Sequence, residues 1–114
     1  MADGVVYVDA AEGQKRVMNN AKLYHRLLAK FRAENNLNEL VAAVNAGEYE
    51  KAQAAAHTIK GIAANLSLSE LYKQSLAVET QIKAKAVEPG AMETLSACFV
   101  STLEAIDKVL VQDA

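Results

Sequence analysis

Residues 48–66 read EYEKAQAAAHTIKGIAANL, and a single long helix from Glu48 to about Asn65 accounts for the pattern. At about 100° per residue, Ala52, Ala55, Ala56, Ile59, Ile62, Ala63 and Leu66 fall on one apolar stripe. Gly47, just upstream, predicts the C-cap of a shorter helix bearing Leu37, Leu40, Val41 and Val44 and starting at Asn36 or Asn38. Before that, Leu23, Tyr24, Leu27, Leu28 and Phe31 recur at helical spacing and fade at Asn35-Asn36. Asp9 can cap a first short helix running to about Met18, and Asn19-Asn20 breaks it or caps the next. Downstream, Ser67 or Ser69 starts a helix with Leu68, Leu71, Tyr72, Ile82 and Ala86 facing inward, and Pro89-Gly90 closes it off. Met92, Leu95, Phe99, Leu103, Ile106 and Leu110 then form a near-heptad.

Four apolar stripes joined by short connections predict an all-α fold, an up-down antiparallel four-helix bundle with a short N-terminal helical extension. At 114 residues the chain has room for one domain, spanning 1–114, with one core. Its 52% hydrophobic and 23% charged content lies within the globular range, so the chain should fold rather than remain disordered. The one alternating run, Val5-Val6-Tyr7-Val8, is too short to argue for a sheet.

Composition narrows the function classes. A net charge of −2 gives no reason to expect nucleic acid, whose binders concentrate Lys and Arg. The lone Cys98, set among Leu95, Phe99 and Leu103, reads as a buried apolar residue and cannot form an internal disulfide. No apolar run approaches the roughly 18 residues of a membrane span, and Met1-Ala2-Asp3-Gly4 has no signal-peptide character. The expected location is cytoplasmic, with tethering to a membrane only as part of a larger sensor protein. The five glycines, at positions 4, 13, 47, 61 and 90, are too scattered for a phosphate-cradling loop, so an autonomous kinase is unsupported.

His57 falls about 160° from the centre of the apolar stripe of the 48–65 helix, near Ile59 and Ala52, and so faces solvent. Gln53, Lys60, Gly61 and Ala64 share its face. Gly61 stands out there, because a mid-helix glycine costs about 0.5–1 kcal/mol relative to alanine. An exposed one in an Ala-rich helix suggests close approach by another molecule. A neutral imidazole can attack a phosphoryl group through one nitrogen when the other keeps its proton and is held by an acceptor. Glu79, near the middle of the next apolar stripe, is expensive to bury alone and needs a partner. Residues 57 and 79 are equidistant from a turn at Leu68, so a helical hairpin brings them level, and the carboxylate can reach the imidazole or Lys60. Lys60 would place positive charge beside transferred phosphoryl oxygens. His25, among Lys22, Arg26 and Ala29, reads as an ordinary outward histidine.

The stretch Ala56-His57-Thr58-Ile59-Lys60-Gly61-Ile62-Ala63-Ala64-Asn65-Leu66 resembles the signature of histidine-containing phosphotransfer (HPt) domains, found alone or at the end of hybrid sensor kinases. The resemblance extends to Tyr24, Leu27, Leu28 and Phe31, to Leu40, Ala43 and Gly47, and to an acidic or amide residue at the place of Glu79. It implies a four-helix bundle whose exposed histidine, His57, relays phosphate to and from the aspartates of receiver domains in response regulators or hybrid sensor kinases. Such a carrier is a phosphorelay intermediate and not an enzyme. It binds no ATP and has no cofactor of its own, Mg²⁺ being expected only on the receiver. Lys60, Gly61 and Glu79 would support His57, with Gln53 and Ala64 in the partner's footprint and the first short helix contributing to docking. Ser67 departs from the pattern, since many relatives carry glycine after the Asn-Leu pair, and this bears on the shape of the turn. Two other readings compete: a helical adaptor that carries no phosphate, and a metal site through His57 and Glu79, poor for want of a third ligand.

Overall fold

The computed structural model describes residues 6–34 and 36–112. Met1-Ala2-Asp3-Gly4, Val5 and Asn35 lie outside them, as do residues 113–114. Among the described residues six helices follow one another: α1 (Ala10–Arg16), α2 (Ala21–Ala33), α3 (Asn36–Asn45), α4 (Tyr49–Leu66), α5 (Ser69–Lys83) and α6 (Ala91–Gln112).

Local chemistry sets the boundaries. Asp9 and Asn20 cap α1 and α2 through side-chain oxygens that accept from the Glu12 and Leu23 amides at 3.2 and 3.0 Å. Four helices end in the same way, on a left-handed residue whose successor donates back to the preceding turn. At α3 the left-handed residue is Gly47 (φ +71°), and Glu48 N donates to Ala43 O at 2.9 Å. At α4 it is Ser67 (φ +58°), with Leu68 N bonded to Ala63 O at 2.8 Å. At α1 it is Met18 and at α5 Lys85, closed by the Asn19 and Ala86 amides. The turn after α4 therefore keeps a glycine-type shape with serine in place.

α4 and α5, joined by Ser67-Leu68, fold back on each other as the most closely packed pair, and α3 also packs against α4. α6 packs on α5 and α2. Tyr24, Leu28, Phe31, Leu40, Ala52, Ala56, Ile59, Ala63, Leu71, Ile82, Leu95 and Ile106 are essentially inaccessible to solvent and form one core. Phe31 and Phe99 stack at 5.3 Å between α2 and α6, and Arg32 clamps Asp107 across the same pair at 2.5 and 3.0 Å. Short α3 is a full member of the core through Leu40 and Ala43, an addition to the four expected stripes.

α1 is tied to the α4–α5 turn. The Asp9 amide donates to Ser67 O at 2.9 Å, Ser67 Oγ donates to Glu12 Oε1 at 2.8 Å, and buried Tyr24 Oη donates to Leu66 O at 2.7 Å. Gly13 lies on the Tyr24 ring so closely that no Cβ would fit. Burial, with Asp9 and Glu12 nearby, pushes the Tyr24 phenol up to about 12, so it stays a donor.

Several sequence expectations change. α1 ends at Arg16, because Met18 and Asn19 both turn left-handed. Tyr72 is 38% exposed and Ala86 is exposed beyond the helix end, whereas Ser75, Val78 and Glu79 join Leu71 and Ile82 on the buried face of α5. His25 is half-buried rather than outward, with its ring 6.2 Å from that of Tyr24.

Candidate functional site

α4 turns its small residues Ala52, Ala56 and Ala63 into the core, which lets α5 approach closely and leaves the opposite edge of the helix to longer polar groups. His57 projects from that edge with its side chain 69% exposed. Its Nδ1 lies 3.4 Å from Oε2 of Glu79, longer than a good hydrogen bond but close enough to orient the ring. The opposite edge of the imidazole carries Nε2. Glu79 itself is 4% exposed, so an exposed ring leans on a buried carboxylate across the α4–α5 groove.

Two ammonium groups share that carboxylate. Lys60 Nζ, half-buried, sits 2.7 Å from Oε1, and Lys83 Nζ, one turn along α5, lies 3.9 Å from Oε2. The Lys60 contact is a charge pair at hydrogen-bonding distance rather than an aligned hydrogen bond. Lys60, through that contact, is the main reason the Glu79 carboxyl is held below the ordinary carboxylate range. Burial opposes the effect, and the charges of Lys60, Lys83 and His57 add to it. Glu79 is therefore ionised at neutral pH, a buried anion ringed by three nitrogenous side chains.

Gly61 is exposed, and a Cβ built on it would meet nothing within 4 Å. Among the described residues no packing contact requires glycine there. Gly13, crowded by Tyr24, shows the contrast: one glycine is required by internal packing and the other is not.

The residues expected from the sequence thus separate. His57, Lys60 and Glu79 come together in one contact network, with Gly61 one turn beyond His57 on the exposed side. Gln53 is half-buried and lines a shallow depression with Glu50, Ala54, His57, Glu79 and Lys83. Ala64 lies farther along, in a second depression with Glu12, Arg16, Ser67, Tyr72 and Lys73, where α1 borders the α4–α5 edge. Lys83 was not anticipated, although its place four residues after Glu79 was a visible signal. Nor were Tyr72 and Leu76, exposed apolar side chains (38% and 42%) on α5. The hairpin register that pairs 57 with 79 puts them level with Ala64 and Lys60. Among the described residues no three His, Cys, Asp or Glu side chains gather to hold a metal ion, and no helix is long and apolar enough to cross a membrane.

A family model described as Hpt domain matches residues 26–109, which contain α3, α4 and α5 entire. No curated protein and no solved structure gives a significant match to the chain.

Proposed function

The chain belongs to the Hpt domain family, whose members carry phosphoryl groups on histidine in phosphorelays, and from that premise we propose that His57 is the carrier residue here, passing a phosphoryl group between receiver-domain aspartates. The observation that carries this reading is the exposed imidazole whose Nδ1 edge rests on a buried, ionised carboxylate. With Nδ1 keeping the proton, the Nε2 lone pair is free to attack phosphorus.

In this reading each neighbour has a separate task. Glu79 orients the ring. Lys60, drawn only partly into its ion pair, keeps N–H groups for the phosphoryl oxygens and offsets their charge in a transfer that depends on position and electrostatics. Gly61 leaves room for the receiver's backbone. Gln53 and Ala64, with Tyr72 and Leu76, lie under the partner. In this reading ATP is used by a kinase upstream, and the divalent ion belongs to the receiver.

The test is transfer of label from a phosphorylated receiver domain. Wild type should gain an acid-labile, base-stable adduct, and His57→Gln should gain none. Labelling that persists in His57→Gln assigns the site elsewhere. A folded wild-type protein that binds receivers and is never labelled is an adaptor instead.

A further inference from the structure

We propose that Glu79 acts after phosphorylation as well as before it: its carboxylate keeps the phosphorylated His57 ring protonated at Nδ1, so that the imidazole leaves as a neutral group when the phosphoryl moves on. This rests on the phosphocarrier reading above and makes Glu79 a positioning residue that sets how readily the carrier gives up its cargo.

The chemistry is as follows. In the accepting direction the Nε2 lone pair forms the N–P bond while the P–O bond of the acyl phosphate breaks, and its electron pair returns to the aspartate carboxylate. The Nδ1 proton stays in place, so the ring gains positive charge. In the donating direction an aspartate oxygen forms the new O–P bond, and the electrons of the N–P bond return to Nε2. If Nδ1 is protonated, the departing group is neutral imidazole. If it is not, the group is imidazolate, a far more basic anion and a poor leaving group. The protonation state of Nδ1 in the phosphorylated protein therefore decides the donation rate.

The geometry puts a negative charge at that atom. Glu79 Oε2 is 3.4 Å from Nδ1, and the carboxylate is 4% exposed. At such a site the interaction is screened less than it would be in open water. An anion beside an imidazole favours its protonated form, as the aspartate of a Ser-His-Asp triad stabilises the imidazolium. The charged groups facing the ring are Glu79 and Lys83 from α5, and Lys60 and Glu50 from α4. Before transfer, Lys60 and Lys83 draw on the same carboxylate. Arrival of a phosphoryl group, with nearly two negative charges, gives both ammonium groups a second anion to approach. Glu79 is then released toward Nδ1.

The experiment uses the full chain with ¹⁵N-labelled histidine, phosphorylated by potassium phosphoramidate, which needs no partner protein. Titrating Nδ1 of phosphorylated His57 by NMR should give a midpoint about one pH unit higher in wild type than in Glu79→Gln, a tenfold change in proton affinity. The alkaline limb of phosphoryl donation to a receiver should shift by the same amount. A second comparison needs no substitution, so it holds even if Glu79→Gln fails to fold: the wild-type midpoint should fall when the phosphorylated protein is unfolded in urea. Equal midpoints, or a higher one without the folded carboxylate, overturn the inference and leave the carrier reading intact. Failure of phosphoramidate to label His57 overturns both.

Discussion

Replacing Gly61 should make the protein more stable and less active, and both effects can be sized from the structure. Gly61 lies inside α4, on its exposed side, where an added Cβ has nothing within 4 Å. No clash offsets the backbone entropy that alanine saves in the unfolded chain, so Gly61→Ala should gain the full mid-helix difference of about 0.5–1 kcal/mol. For a domain of this size that is a Tm rise of about 2–6 °C. Transfer should move the other way. If the receiver's backbone occupies the space, a longer side chain must be displaced at about 1–3 kcal/mol, and each ~1.4 kcal/mol is a factor of ten in rate. Gly61→Gln should therefore slow transfer from a phosphorylated receiver about tenfold or more while still melting above wild type. Thermal unfolding and stopped transfer assays on the same preparations check both halves. Stabilisation with an unchanged transfer rate refutes the close-approach account. Loss of stability in Gly61→Ala refutes the claim that no packing contact among the described residues requires the glycine.

Three further outcomes are expected. Because the folded Glu79 carboxyl is depressed, chiefly by Lys60, its stabilisation is complete above the unfolded value of about 4.3 and is lost as pH falls through the lower folded value; the Tm gap between wild type and Glu79→Gln should be flat from neutrality to about pH 5 and close only in stronger acid, and a gap that closes near neutrality would contradict the assignment. Ser67→Ala removes the Oγ bond to Glu12 but keeps the left-handed backbone, and should lose about 0.5–1.5 kcal/mol in urea unfolding; Ser67→Gly loses the same bond but relieves about 1 kcal/mol of backbone strain, so it should fall near wild type, and a glycine variant as weak as alanine would show that the turn is not strained. The exposed Arg32–Asp107 clamp should matter less as salt rises: the Tm difference between wild type and Arg32→Ala should shrink toward about 1 M salt, and a salt-independent difference would point to packing.

Much of the site was legible because helical geometry alone locates it. The stripe Ala52, Ala56, Ile59 and Ala63 fixes which way α4 faces, and that puts His57 outside and Gly61 beside it. The height match of 57 and 79 follows from a short hairpin, and the His57–Glu79 contact has that register. The angle was not legible. An outward histidine and an inward glutamate meet only because Glu79 sits at the rim of the groove and the imidazole leans across it.

The errors on α5 share one cause. Its buried face includes Ser75 and Glu79, polar letters that break the apolar stripe, so the pattern points Tyr72 inward although it lies outside. The pattern extends to Ala86 because nothing in Lys85 marks the left-handed residue that ends the helix. Ser67 is the same kind of case, a glycine-type conformation taken by a serine whose hydroxyl gains a tertiary bond to Glu12, a compensation visible only once α1 is in place.

The central claim is that Nε2 of His57 is the phosphoryl acceptor, and phosphorus–nitrogen correlation NMR on the phosphorylated, ¹⁵N-histidine-labelled protein tests it most directly. The expected result is one phosphorus resonance coupled to Nε2 of His57 and absent in His57→Gln. Coupling to Nδ1, the nitrogen that rests on Glu79, or a phosphoryl group on any other residue would contradict it.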